Sequence, residues 1–207
     1  MTAGLFRPAL PDALDYQPGL FAPEEAERLM ARLVVEVPWE ERESWLWGRL
    51  CKTPRLVFMY GPVAYTYSNF VHPPCPMPEW IAEIRDRASE ASGLALDSVI
   101  CNFYRHGRDS VSWHSDDDFV AGAHSGIASV SFGASRRFDF RPKKALTPEY
   151  QIELETGSLV VMRPGAQRDW LHAVQKLPTA EAAGPRVNLN FRCFTRNPPE
   201  APPCRAN

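Results

Sequence analysis

His114, Ser115 and Asp116 put an imidazole and a carboxylate two residues apart, and His172 supplies a second imidazole much later in the chain. Two imidazoles and one carboxylate make the facial set that holds Fe(II) while leaving three coordination positions open. Shortly after His172 comes the run Arg186-Val187-Asn188-Leu189-Asn190-Phe191-Arg192. Alternation along a strand places Arg186, Asn188, Asn190 and Arg192 on one face and Val187, Leu189 and Phe191 on the other. Four polar groups converging inside a sheet sandwich need partners, because unpaired buried charge is costly. An anionic ligand would satisfy them, and a guanidinium fork matches a carboxylate bidentately. The run 99–104 has the same form: Asn102 and Tyr104 share a face opposite Val99, Cys101 and Phe103, and offer an amide and a phenol to carboxylate oxygens. The combination predicts an iron and 2-oxoglutarate dioxygenase.

Each signal has a bland reading beside it. A His-x-Asp tripeptide arises by chance in loops, and with Asp117 and Asp118 it could be a solvated acidic turn. The polar strand face could be an exposed one balanced by acidic neighbours. Other ligand types are placed less favourably. His72 and Cys75 sit inside the Pro-rich run His72-Pro73-Pro74-Cys75-Pro76, and His106 and His124 read as loop residues without a paired carboxylate. The chain has no phosphate-cradling Gly-rich loop and no nucleophile elbow.

The elements that must position these residues fall into two groups. Residues 1–22, with Pro8, Pro11, Pro18 and Gly19, read as an irregular lead-in. Pro23 then opens a helix, with Glu24, Glu25 and Glu27 near its positive end and Ala26, Leu29, Met30, Leu33 and Val34 as its apolar stripe. A second helix starts at Pro78, buries Trp80, Ile81, Ile84, Ala88 and Ala91, and stops at Gly93. Between the helices, 39–78 is rich in aromatics and Pro. After Gly93 the period changes to two, and strands are predicted over 99–104, 127–132, 138–141, 151–155, 158–162 and 186–194, with Trp113-His114 ending an extended run and His172 following a strand and turn. Helices first and short strands afterwards predict an α+β fold, helices packed on a double-sheet jelly roll. The tail 197–207 holds four Pro and reads as a flexible end.

Composition narrows the setting. A chain of 207 residues with 44% hydrophobic residues and six Trp suits one globular domain. Net charge is −2, so any hold on nucleic acid must come from local basic clusters. Such clusters are Arg49, Lys52 and Arg55; Arg105 and Arg108; and Arg136, Arg137, Arg141, Lys143 and Lys144, all candidate phosphate contacts. The five Cys show neither a zinc nor a disulfide framework. With no signal-peptide pattern and no apolar run of the roughly 18 residues needed to span a bilayer, the expectation is a cytoplasmic monomer without membrane contact.

At these residues the chain resembles the AlkB family of Fe(II)/2-oxoglutarate-dependent nucleic-acid dealkylating dioxygenases, in its DNA repair branch. The matching runs, in order, are Cys101-Asn102-Phe103-Tyr104-Arg105, His114-Ser115-Asp116-Asp117, Ile127 to Ala134, Arg137-Phe138, Gly157-Ser158-Leu159, Trp170-Leu171-His172 and Pro185 to Arg192. The resemblance implies a double-stranded β-helix core with N-terminal helices, Fe(II) on His114, Asp116 and His172, and 2-oxoglutarate held by Asn102, Tyr104, Arg186, Asn188, Asn190 and Arg192. Asn190 departs from the Thr common there. It further implies one dioxygenase domain over 1–196, with a nucleotide-recognition lid over about 39–78 and the catalytic jelly roll over about 95–196. Trp47, Gly48, Arg49, Tyr65, Tyr67 and Ser68 fall in the lid strips, and Asp117 lies just past the iron carboxylate. These are the implied substrate contacts, with aromatic faces suited to a flipped, cationic methylated base. The implied reaction removes N-methyl groups of the N1-methyladenine and N3-methylcytosine type from DNA, releasing succinate, CO2 and formaldehyde. The alternatives are a same-fold dioxygenase acting on RNA, protein or a small molecule, a non-enzymatic lesion-binding module, and a cupin-like protein, which would lack the Arg186/Arg192 pair.

Overall fold

The structure, a computed structural model, describes residues 12–46, 49–67, 70–116 and 126–195. Helix α1 spans Pro23–Glu36 and α2 spans Glu79–Ser92. Pro23 stands at the start of α1 with Glu24 and Glu25 in its first turn, so ring-fixed φ and the helix dipole set its N-terminus. Gly93 ends α2 in the left-handed conformation, φ 70°, with its N–H bonded to the Ser89 carbonyl. In α2, Ile81, Ile84 and Ala88 are buried as predicted, Trp80 packs half-buried against them, and Ala91 is exposed on the far face.

Seven strands form the larger sheet, in the order β1 (Leu14–Gln17), β11 (Leu159–Met162), β8 (Ile127–Gly133), β13 (Arg186–Arg192), β6 (Ser98–Tyr104), β3 (Arg49–Tyr60) and β2 (Glu40–Leu46). Four form the smaller sheet, in the order β10 (Tyr150–Leu154), β9 (Arg136–Pro142), β12 (Trp170–Val174) and β7 (Val111–His114). A short pair, β4 (Tyr65–Tyr67) and β5 (Phe70–His72), stands apart, and a one-turn helix α3 (Ala166–Asp169) leads into β12. All named strand pairings are antiparallel.

Alternation gives the large sheet two different faces. Val187, Leu189 and Phe191 of β13, Val99 and Cys101 of β6, and Ala128, Val130 and Phe132 of β8 pack beneath α1 and α2. The opposite face meets the smaller sheet through Tyr104, Ile127, Val160 and Met162 against Phe138, Phe140, Ile152, Leu154 and Val174. The helices thus seal one face of the large sheet, and the second core closes only part of the other. The remainder is a cleft between the sheets.

The predicted jelly roll with N-terminal helices is the observed architecture, with corrections at its edges. The lead-in contains β1, whose pairing with β11 joins the N-terminal segment to the sheet. His172 follows β11 and a turn as expected, and itself lies within the further strand β12. The aromatic and Pro-rich segment contributes the long hairpin β2–β3, and β3 runs alongside β6 from Leu56 opposite Phe103 to Tyr60 opposite Val99. Pro54 lies within β3, and the register between β2 and β3 shifts between Glu41 and Glu43. The tail from residue 196 lies outside the described residues.

Candidate active site

Strand register assembles the cluster. β12 and β7 run side by side with His172 directly opposite His114, and a shift before Val174 bulges the pair at that point. Asp116 follows two residues beyond β7, so its carboxylate returns between the two imidazoles. Asp116 Oδ1 lies 3.6 Å from His114 Nε2, and Oδ2 lies 3.5 Å from His172 Nε2. The imidazole centroids are 4.3 Å apart. One ligand atom from each residue falls within 4.8 Å of the others, the only such group among the described residues.

Protonation in this cluster suits a cation. His114 Nδ1–H donates to the Ser112 carbonyl at 2.8 Å, which turns the Nε2 lone pair toward Asp116. Burial, with His172 alongside, pushes the His114 imidazolium down to about 4, so the ring is neutral at pH 7. Burial alone would raise the Asp116 carboxyl. The Arg192 guanidinium at 2.9 Å and the two imidazoles outweigh it and hold the acid well below the usual carboxylate range. Two imidazole nitrogens and one ionised oxygen are the donor set of a borderline divalent metal such as Fe(II).

The opposite end of the cleft carries excess positive charge. Arg186 is 1% exposed, and its Nη2 donates to Ser131 Oγ at 2.9 Å. Its Nε and Nη1 are buried with no hydrogen-bond partner among the described residues. Burial, with added repulsion from Arg136, depresses its guanidinium to about 10 despite the pull of Tyr104. Tyr104 places its ring face toward Arg186, 5.1 Å from centroid to Cζ. Asn188 donates to Ser129 Oγ at 2.7 Å, which fixes the middle of the same strand face. Asn190 Oδ1 is buried without a partner among the described residues. A dicarboxylate matches this geometry, with one carboxylate at Arg186 and the other near the His–Asp cluster. The orphaned donors of Arg186 are the observation on which this fit rests.

His114, Asp116, His172, Asn102, Tyr104, Arg186, Asn188, Asn190 and Arg192 all line a single open cleft of about 750 Å³. The candidate substrate residues fare differently. Trp47, Gly48, Ser68 and Asp117 lie outside the described residues, as do the side chains of Tyr65 and Tyr67 on β4. Arg49 is exposed at the start of β3.

Several expected phosphate contacts have other duties. Arg55 is 9% exposed, lines the cleft, and donates from Nε to Asn102 Oδ1 at 2.8 Å. Alternation would have shown it on the same face as Val57 and Met59, but Pro54 masks the strand. Arg136 is 2% exposed and donates to the carbonyls of His106, Asp109 and Gln175, pinning β9 to two loops. Arg105 is paired with Asp109 at 2.8 Å. Arg137 pairs with Asp139, and Arg141 stacks on Trp113. Lys143 and Lys144 remain exposed.

Comparison with known proteins gives the family. The family model of the 2OG-Fe(II) oxygenase superfamily matches residues 13–192. The chain is 36% identical over 196 residues to the human alpha-ketoglutarate-dependent dioxygenase alkB homolog 3, covering 89% of this chain and 67% of that protein. It is 33% identical over 186 residues to the mouse DNA oxidative demethylase ALKBH2, covering 84% and 77%. The solved structure of OsALKBH1 superposes with a TM-score of 0.65 at 17% identity, covering 90% of this chain and all of that one, which supports the fold. Domain match, relatives and His–Asp–His cluster agree, and the chain belongs to the AlkB family of Fe(II)- and 2-oxoglutarate-dependent dioxygenases.

Proposed function

We propose that this chain demethylates N-alkylated bases in DNA, of the N1-methyladenine and N3-methylcytosine type, as a direct-reversal repair enzyme. The observation that carries the reading is the cleft itself, with a His–Asp–His cluster at one end and the partnerless donors of buried Arg186 at the other. The relative named a DNA oxidative demethylase points to the same substrate class. His114, Asp116 and His172 hold the iron in this reading. Arg186 clamps the distal carboxylate of 2-oxoglutarate, Arg192 assists at the proximal one, and Asn102, Tyr104, Asn188 and Asn190 line its path. Bound there, Fe(II) would supply the oxidising chemistry that puts one atom of O2 into succinate as 2-oxoglutarate loses CO2 and the other onto the N-methyl carbon of the base, which then leaves as formaldehyde.

The chain's residues then bind, orient and exclude water. Val57, Met59 and Ile100 give the cleft an apolar wall where a flipped base can leave solvent. Trp47, Gly48, Arg49, Tyr65, Tyr67, Ser68 and Asp117 belong to the substrate side of the proposal, the aromatics as stacking faces and Asp117 as an acceptor for a cationic base. Phosphate contacts fall to the exposed Arg49, Lys143 and Lys144 rather than to the buried arginines. No helix among the described residues is long and apolar enough to cross a membrane.

The test is anaerobic loading with Fe(II) and 2-oxoglutarate, followed by O2 with a methylated oligonucleotide. Formaldehyde and succinate should appear together, and faster with methylated DNA than with unmethylated DNA. Methylated RNA, peptide and no-substrate arms separate the alternatives. Succinate release indifferent to every methylated nucleic acid would refute the assignment.

A further inference from the structure

Gln167 lies behind the cleft, on the one-turn helix α3, and is 7% exposed. Its Oε1 accepts the backbone N–H of Asp116 at 2.8 Å. Its Nε2 donates to the thioether of Met162, 3.3 Å away. A thioether is a weak acceptor, so the strong bond this side chain makes is the one to Asp116. Three residues beyond Gln167, after α3 has run directly into β12, the chain reaches Trp170, and His172 lies on that strand. One side chain therefore joins the backbone of one candidate ligand to the element that carries another.

We propose that Gln167 is a positioning residue for the metal centre. This rests on reading His114, Asp116 and His172 as the iron ligands. The need for a strut follows from the local forces. Asp116 lies past the end of β7, outside the strand ladder that fixes His114 against His172. Arg192 draws Asp116 Oδ2 at 2.9 Å. A backbone free to shift at residue 116 would let the carboxylate follow that pull and turn away from the imidazoles. The Gln167 amide opposes this by anchoring the Asp116 backbone N–H. It holds the Asp116 backbone to the β12 side of the site before an ion arrives, and a metal tolerates only small errors in ligand position. Groups that orient ligands without touching the metal typically contribute tenfold to a hundredfold in metal affinity.

The experiment is an anaerobic Mn(II) titration without cosubstrate, followed by the Mn(II)-dependent rise in unfolding midpoint. It uses the full chain, Gln167→Ala, Gln167→Glu and His172→Ala. Gln167→Ala should weaken Mn(II) about tenfold or more. Gln167→Glu should recover most of the affinity, since its carboxylate can accept the same N–H; simple loss of packing would not be rescued this way. Gln167→Asn keeps a buried amide but withdraws it from reach, so it should behave as the alanine variant and serves if that one folds poorly. Mn(II) binding by Gln167→Ala or Gln167→Asn within twofold of the unaltered chain would overturn the strut alone. Equal Mn(II) binding by the unaltered chain and His172→Ala would overturn the metal-centre reading and the strut with it.

Discussion

Replacing Arg186 with methionine should leave the ligand-free fold nearly as stable as before while removing most of the grip on 2-oxoglutarate. Methionine is close in length and fills the same buried space without charge. The guanidinium is pushed down to about 10 from its ordinary 12.5. At 1.36 kcal/mol for each tenfold change in proton affinity, this one charge costs the ligand-free fold about 3 kcal/mol. Against this, the variant loses the bond to Ser131 Oγ at 2.9 Å. A hydrogen bond from a charged donor is worth about 1.5–3 kcal/mol. The two nearly cancel, so stability should move by no more than about 1–2 kcal/mol. If Arg186 were instead satisfied by a structural partner, breaking that buried pair would cost about 3–5 kcal/mol. On the ligand side, losing a charge-assisted carboxylate contact should weaken 2-oxoglutarate roughly tenfold to a hundredfold. At a concentration of about 100 times the parent Kd, ligand stabilises the parent by about 2.7 kcal/mol and the variant by only about 0.4–1.4 kcal/mol. Urea unfolding with Mn(II), with and without 2-oxoglutarate, measures both quantities on one sample. A variant that loses more than about 3 kcal/mol alone yet keeps the full stabilisation by 2-oxoglutarate would refute the clamp.

His114→Ala, Asp116→Ala and His172→Ala should each abolish demethylation and greatly weaken metal binding, because each removes one of the three proposed protein ligands; near-normal turnover with stoichiometric Fe(II) would exclude that residue from the set. Asp97 takes hydrogen bonds from the N–H groups of Phe194 and Thr195 at 2.9 and 3.0 Å and from the hydroxyls of Thr195 and Ser98 at 2.6 and 2.7 Å. Burial alone would raise its carboxyl, but the Thr195 hydroxyl and the other donors hold it below the usual range. Its folded pKa being depressed, its contribution is present above the unfolded value of about 4 and is lost as pH falls through the folded one. Asp97→Asn should cost about 1–2 kcal/mol at pH 7, after allowing for solvent screening, and should flatten the acid limb of stability; urea midpoints from pH 3 to 7 that differ by a constant amount would contradict this. Arg136→Met orphans the carbonyls of His106, Asp109 and Gln175 and should cost about 3 kcal/mol or more in unfolding free energy, so an unchanged urea midpoint would remove its role as a pin.

What the sequence alone determined about the site follows from local periodicity. Side chains on a strand alternate, so Arg186, Asn188, Asn190 and Arg192 had to share a face, and Asn102 and Tyr104 had to share another. The structure sets those two strands side by side, with Asn188 opposite Asn102. The helices were legible for the same reason, from their stripes, Pro23 and Gly93. Tertiary structure decided what no local pattern encodes. Arg55, read as a phosphate contact, is turned into the cleft because β3 continues past Pro54 and pairs with β6, which puts Arg55 on the face of Val57 and Met59. Gln167 carried no signal, since a four-residue helix has no period and its partner Asp116 lies 51 residues away. Arg136 sat in a run of basic residues ahead of the predicted strand 138–141, yet β9 begins at Arg136 and its packing buries that side chain, which reaches carbonyls of two distant loops. The residues that could do chemistry were set by type and spacing. Which of their neighbours hold them in place was set by strand register and loop closure, which depend on contacts between segments far apart in the chain.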